Sequence, residues 1–178
     1  MGKKVEFEKV SYEQFKNDYL NVFYKEYTDK DINNHFIDNL IRDVYDAIKL
    51  PKRGTSKSAG YDFFLPFNVD LLQGRDMIIP TGIKCHMLDN MVLMMFPRSG
   101  LGTKFRFVPM NLVGIVDSDY VNAENEGHIF MKMINDGDKV LSLKAGNAFC
   151  QGIITRYFTT DEDYTTKERC GGFGSTGW

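Results

Sequence analysis

In Asn111-Leu112-Val113-Gly114-Ile115-Val116-Asp117-Ser118-Asp119-Tyr120, an apolar, β-branched run stops at two acids and a tyrosine. Branched side chains suit an extended backbone, while Asp and Ser favour reversals because they bond to their own neighbouring backbone. The segment from Leu112 to Val116 therefore reads as a strand that delivers a carboxylate and an aromatic ring where it meets a turn. Taken alone, the same residues also describe an ordinary Asp-rich turn, and Asp119 is read as a turn residue. Working outward, short runs of the same kind recur at Tyr61 to Leu65, Asp76 to Ile79, Ile83 to Met87, Met91 to Phe96 and Phe105 to Val108. Further runs lie at His128 to Ile134, Lys139 to Leu143 and Ala148 to Tyr157. Many short strands punctuated by Gly, Pro, Asn and Asp predict an all-β sandwich or barrel. Asn135-Asp136-Gly137-Asp138 predicts a hairpin between two of them.

The first fifty residues carry a different period. Ser11 with Gln14 three residues later forms a capping-box signature, followed at helical spacing by Tyr12, Phe15, Tyr19, Val22 and Phe23. A second stripe from about Asp31 runs through Ile32, Phe36, Ile37, Leu40, Ile41, Val44, Tyr45 and Ile48, and Pro51 stops it. The expected organisation is a helical extension over 1–49, a β domain over 50–168 and a Gly-rich tail over 169–178. Both apolar stripes need cover, so the extension is expected to pack on its own β domain, the alternative being a partner-binding element.

A chain of 178 residues is most simply one domain, and its formal net charge of -2 gives no broad basic field for nucleic acid. Any phosphate site must be local. Cys85, Cys150 and Cys170 are odd in number and widely spaced, which suggests neither a disulfide framework nor a zinc site. His35, His86 and His128 lack ligand spacing and are read as surface or strand residues. No run approaches the roughly 20 apolar residues of a membrane span, and the amino terminus has no secretion signal, so a cytoplasmic protein is expected.

Four other clusters flank the opening stretch: Ser58-Ala59-Gly60-Tyr61-Asp62, Pro97-Arg98-Ser99-Gly100-Leu101-Gly102, Ala145-Gly146-Asn147-Ala148-Phe149-Cys150-Gln151-Gly152 and Arg169-Cys170-Gly171-Gly172-Phe173-Gly174-Ser175-Thr176-Gly177. With Gly114 to Tyr120 they resemble, in order, the five motifs of the trimeric dUTPase family, over Leu50 to Gly177. The resemblance implies a jelly-roll (β-clip-like) barrel, a flexible tail and a homotrimer whose sites combine motifs from neighbouring subunits. It also implies hydrolysis of dUTP to dUMP and pyrophosphate with Mg²⁺. Some fourteen residues from Tyr157 to Gly171 could extend on the order of 45 Å, enough for the tail to serve a neighbour.

Cleaving a triphosphate between its α and β phosphates requires a water aimed in line and a neutralised leaving group. The resemblance gives Asp117 the water, and Gln151 the α phosphate or that same water. Arg98, Ser99 and Gly100 fall to the phosphates, and Asp62 to the waters around magnesium. Tyr120 matches the ring packed on the deoxyribose, where a 2′ hydroxyl would find neither room nor a partner. In the tail, Phe173 would lie over the uracil and Arg169 would hold the γ phosphate, with Gly174, Ser175 and Thr176 completing the cover.

The chain departs from the family pattern in three places. Asn147 and Ala148 replace a customary acid and arginine. Arg169 lies one residue closer than usual to the phenylalanine, leaving Lys167 as a substitute. The turn Val121 to His128 is longer than usual, so which amide reads the base stays open. A deaminase of dCTP shares the implied fold and is the rival catalyst; a nucleotide-gated binding protein is the rival from another class.

Overall fold

A computed structural model describes residues 4–25 and 35–166. Period-two alternation builds its main sheet. Strands β2 (Lys52–Arg53), β3 (Tyr61–Phe64), β7 (Met91–Pro97), β9 (Gly114–Asp117) and β12 (Ala148–Arg156) lie in the order β2-β3-β12-β7-β9, all neighbours antiparallel. Along β7, Leu93 and Met95 point inward and are wholly buried, while Val92, Met94 and Phe96 take the other face. Three further sheets complete the β part: β5 (Asp76–Pro80), β10 (Phe130–Asn135) and β8 (Phe107–Pro109); β11 (Leu141–Leu143) with β4 (Val69–Leu71); and β1 (Glu6–Lys9) with β6 (Ile83–His86). The protein is mostly β, and the sheets do not close into a barrel among the described residues.

The amino-terminal segment is not purely helical, since β1 pairs with β6 from Glu6↔His86 to Lys9↔Ile83. Helix α1 (Tyr12–Phe23) follows, and Ser11 caps it by accepting the Gln14 N–H at 3.1 Å. The other half of the expected capping box is absent. The Gln14 amide turns to Asp18 instead, and the Ser11 N–H donates to Glu126, 115 residues away, at 2.8 Å. Helix α2 (His35–Asp46) packs on α1; the expected residues 31–34 of its stripe lie outside the described residues. Val10, Phe15, Tyr19, Ile41 and Ile48 share one core with Phe63, Leu93, Met95, Phe107 and Phe149. These members of the two stripes thus find cover on the β part, whereas Phe23, Phe36 and Leu40 stay exposed.

Three expectations fail locally. Asn135 to Asp138 is not a hairpin, because β10 pairs with β5 and β8 whereas β11 pairs with β4. Gly137 does not take the positive φ of a two-residue hairpin turn. The buried Asn135 amide spans the turn instead, donating to Leu71 O and Lys139 O at 2.9 and 2.8 Å. The strand expected at Phe105 begins at Phe107, since Ser99–Phe105 forms the short helix α3, ended by Arg106 in the left-handed region. Likewise β9 starts at Gly114, because Leu112 has φ 64° and belongs to the preceding turn.

No helix among the described residues is long and apolar enough to cross a membrane.

Candidate active site

Strand register brings three of the sequence clusters together. Asp62 on β3 lies opposite Gln151 on β12, and Gln151 lies opposite Phe96 on β7. Directly opposed residues share a sheet face, so Asp62 and Gln151 emerge side by side away from the core. Arg98 follows the end of β7, and its Nε stands 3.1 Å from Asp62 Oδ1. The Arg98 Nη1 reaches Ala148 O at 3.5 Å, and Gln151 Nε2 donates to Pro97 O at 3.1 Å. With Ser58, Gly60 and Ser99 these residues line a cleft of about 440 Å³. The carboxylate fixes a guanidinium that stays nearly half exposed, which is the arrangement an anion-binding arginine needs.

Close packing explains the glycines. A Cβ on Gly60 would stand 2.7 Å from Gln151 Oε1, so the glycine lets the amide approach the loop. A Cβ on Gly152 would stand 2.7 Å from Leu93 Cδ1 and 2.9 Å from Phe63 Cε2. The glycine after Gln151 therefore answers to the core rather than to the cleft. Asn147, at one of the positions that departs from the family pattern, accepts the Lys144 N–H at 3.0 Å and shapes a turn. Cys150 is fully buried on the core face, and burial, with Asp62 second, pushes its thiol well above the ordinary range. It is not a nucleophile for this cleft.

Beside the cleft a hollow of about 500 Å³ is lined by Arg98, Ser99, Gly100 and Lys104. Sequence reading missed Lys104. It is brought there by α3, a seven-residue helix with two glycines and too short to display a period.

Asp117 and Tyr120 are elsewhere. Asp117 ends β9 opposite Val92, four residues along β7 from Phe96. That places it about 13 Å along the sheet and about 10 Å across it from Gln151. One chain does not bring Asp117 to the cleft, although Asp117, Gln151 and Asp62 share one sheet face. Between them that face carries Ile115, 57% exposed. Asp119 is exposed in a 3-10 helix over Ser118–Asn122. Tyr120 is buried to all but 8%; its hydroxyl donates to His128 O at 2.9 Å and accepts from Asn125 Nδ2 at 2.9 Å.

His128, read from sequence as a surface or strand residue, is neither: it is fully buried just before β10 and bonded to Asp18. Arg169, Phe173, Gly174, Ser175, Thr176 and the substitute Lys167 lie outside the described residues.

The dUTPase family model matches residues 46–177. A deoxyuridine 5'-triphosphate nucleotidohydrolase of Lactococcus lactis subsp. lactis is 41% identical over 134 residues, covering 74% of this chain and 89% of the relative. That of Escherichia coli K12 is 37% identical over 136 residues, covering 72% and 87%. A crystal structure of dUTPase from Streptococcus mutans superposes with a TM-score of 0.62 at 31% identity, covering 88% of this chain and 98% of that one. The matched region holds all five sequence clusters and the whole five-stranded sheet, so the chain belongs to the dUTPase family.

Proposed function

We propose that this protein is a dUTP diphosphatase of the cytoplasm, hydrolysing dUTP to dUMP and pyrophosphate by attack of water on the α phosphorus. The observation that carries this reading is the cleft of Asp62, Arg98, Ser99 and Gln151, with Asp117 on the same sheet face but out of reach. Such a division makes sense if the jelly-roll subunits form a homotrimer and each cleft takes Asp117 and Tyr120 from a neighbour. Between the two halves that face carries a contiguous apolar strip of Ile153, Met94 and the exposed Ile115, which supports its burial against another copy.

Arg98 clamps phosphate oxygens while Asp62 holds its guanidinium, and Ser99 and the Gly100 backbone approach the same chain of phosphates. Gln151, set by Pro97 O, offers its amide to the α phosphate or the attacking water. Asp117 holds that water in line and accepts its proton. Tyr120 excludes a 2′ hydroxyl. Phe173 closes over the base, Arg169 takes the γ phosphate, and Gly174, Ser175 and Thr176 complete the cover.

Among the described residues no three carboxylate, His or Cys side chains cluster, and Asp62 is already bonded to Arg98. That donor set fits Mg²⁺ carried by the triphosphate, with Asp62 accepting from its waters. Bound there, the ion supplies neutralisation of the leaving pyrophosphate.

Chromatography of products after mixing dUTP, dCTP, dTTP or UTP with protein and Mg²⁺ tests the reading. The expected result is dUMP and pyrophosphate from dUTP alone. Ammonia from dCTP would replace the proposal with a deaminase, and dUTP binding without turnover would replace it with a nucleotide-gated switch.

A further inference from the structure

The turn 118–128 carries Tyr120 but has little regular structure to hold it: a 3-10 helix, then Glu126 at φ 57° and Gly127 at φ 72°. Helix α1 holds it from outside at two places. The Ser11 N–H and hydroxyl donate to the two oxygens of Glu126, at 2.8 and 2.6 Å. Two turns further along the helix, Asp18 Oδ2 meets His128 Nδ1 at 2.6 Å. Ser11, Phe15 and Asp18 are spaced at i, i+4 and i+7, on one helix face, and the buried Phe15 ring stands 6.0 Å from the His128 ring between the two ties.

The chemistry of the second tie is fixed by its surroundings. The Gly82 N–H donates to His128 Nε2 at 2.7 Å, so that nitrogen is the acceptor and Nδ1 carries the proton it gives to Asp18. The carbonyl of the same His128 accepts the Tyr120 hydroxyl, while Asn125 bonds to both. An unbroken path of bonds thus runs from Asp18 through His128 to the ring proposed to meet the sugar. Helix α1 lies before the segment matched by the family model, which begins at residue 46.

We infer that Asp18 and His128 are positioning residues through which the amino-terminal helix sets Tyr120, making the extension part of the apparatus that rejects a 2′ hydroxyl. The inference rests on the proposed dUTP hydrolysis. Removing the Asp18 carboxylate leaves a buried N–H without its acceptor and frees the imidazole to turn. The ring then sits less firmly, and discrimination between dUTP and UTP, which depends on a tight fit, falls more than turnover of dUTP itself.

The test compares the full-length protein with Asp18→Ala, Asp18→Asn and Lys16→Ala. Lys16 sits on the same helix but pairs with Asp38 of α2 at 2.6 Å, and so controls for loosening of the helix pair. Two readouts are taken: the ratio of kcat/KM for dUTP over UTP, and amide hydrogen exchange across 118–128. Asp18→Ala should lower the ratio about tenfold and speed that exchange, while Asp18→Asn, whose amide oxygen still accepts from Nδ1, stays within about twofold of wild type. An unchanged ratio and unchanged exchange in Asp18→Ala, or an equal fall in Lys16→Ala, overturns the inference. Should the wild-type protein leave dUTP intact, the proposed function fails on its own, and the exchange comparison still decides whether α1 sets the turn.

Discussion

The cleft around Asp62 and the turn around Tyr120 are held in place by different means. At the cleft, two antiparallel ladders fix the positions of Asp62, Gln151 and the chain leading to Arg98 through repeated backbone bonds. At the turn the backbone bonds are local, such as Ala123 N–H to Tyr120 O and His128 N–H to Asn125 O, and single side-chain bonds from Ser11 and Asp18 tie it to the amino-terminal helix. A ladder bond has neighbours that keep its register when one is lost; a lone side-chain bond, worth about 0.5–1.5 kcal/mol, has none. With the roles proposed above, phosphate chemistry at the cleft should resist substitutions far away, while selection at the turn should feel them.

Whether the two regions meet between copies can be read from paired inactive variants. Asp117→Asn should keep dUTP binding and lose about 10³-fold in kcat, within the usual span for a group that handles the attacking water. Arg98→Ala should also be nearly inactive, its loss falling on phosphate binding and leaving Asp62 without its partner. If clefts borrow Asp117 from a neighbour, refolding the two inactive proteins together makes some intact sites, and random mixing predicts recovery of about a quarter of wild-type activity. Persistent inactivity in a mixture that is demonstrably trimeric would place both halves of the site within one subunit.

A smaller effect sharpens the picture at the cleft itself. Gly60→Ala puts a methyl where Gln151 Oε1 now sits, 2.7 Å from the new carbon. The amide is the far end of a flexible chain, so it swings away at little cost to folding, and the loss appears in kcat. A fall of about 10²-fold with thermal stability nearly unchanged is expected, since misaiming a catalytic group by about 1 Å costs that much. Equal losses of activity and stability would mean that Gly60 serves the fold rather than Gln151.

What could be read in the sequence follows the same division. Strands β7 and β12 were legible almost to the residue because each is a short, largely apolar run bounded by turn residues, as Met91 to Phe96 shows; which side chains face the core appears only in the burial pattern. The cleft residues were each visible in a motif, but their pairing was not: nothing local couples Arg98 to Asp62. Asn135-Asp136-Gly137 misled because a buried asparagine side chain, not a positive-φ glycine, makes that turn. Helix α3 misled because its two glycines hide a helix only seven residues long. The ties from α1 were invisible, since polar pairs 110 and 115 residues apart have no period and no spacing rule. Ser11 was correctly seen as a cap, yet the second half of its motif is supplied by Glu126 in place of Gln14.

That substitution of partners gives the mildest prediction, one that separates the two ties. Burial pushes the Glu126 carboxyl up, but the two Ser11 bonds, with the Lys84 ammonium, outweigh it and leave the group below its ordinary value of 4.5. A depressed folded pKa means that the native state favours the carboxylate. The stabilisation is therefore present above pH 4.5 and disappears as pH falls through the folded value. Glu126→Gln keeps an acceptor for Ser11 but loses the charge, and because this carboxylate is partly exposed the effect should be only about 1–2 °C in melting temperature near pH 7. Melting curves of both proteins from neutral pH downward should converge below the ordinary carboxylate range. A gap of the same size at every pH would mean that the amide fails by shape rather than by charge, and the Ser11 tie would then be a matter of fit, like the ladders of the cleft.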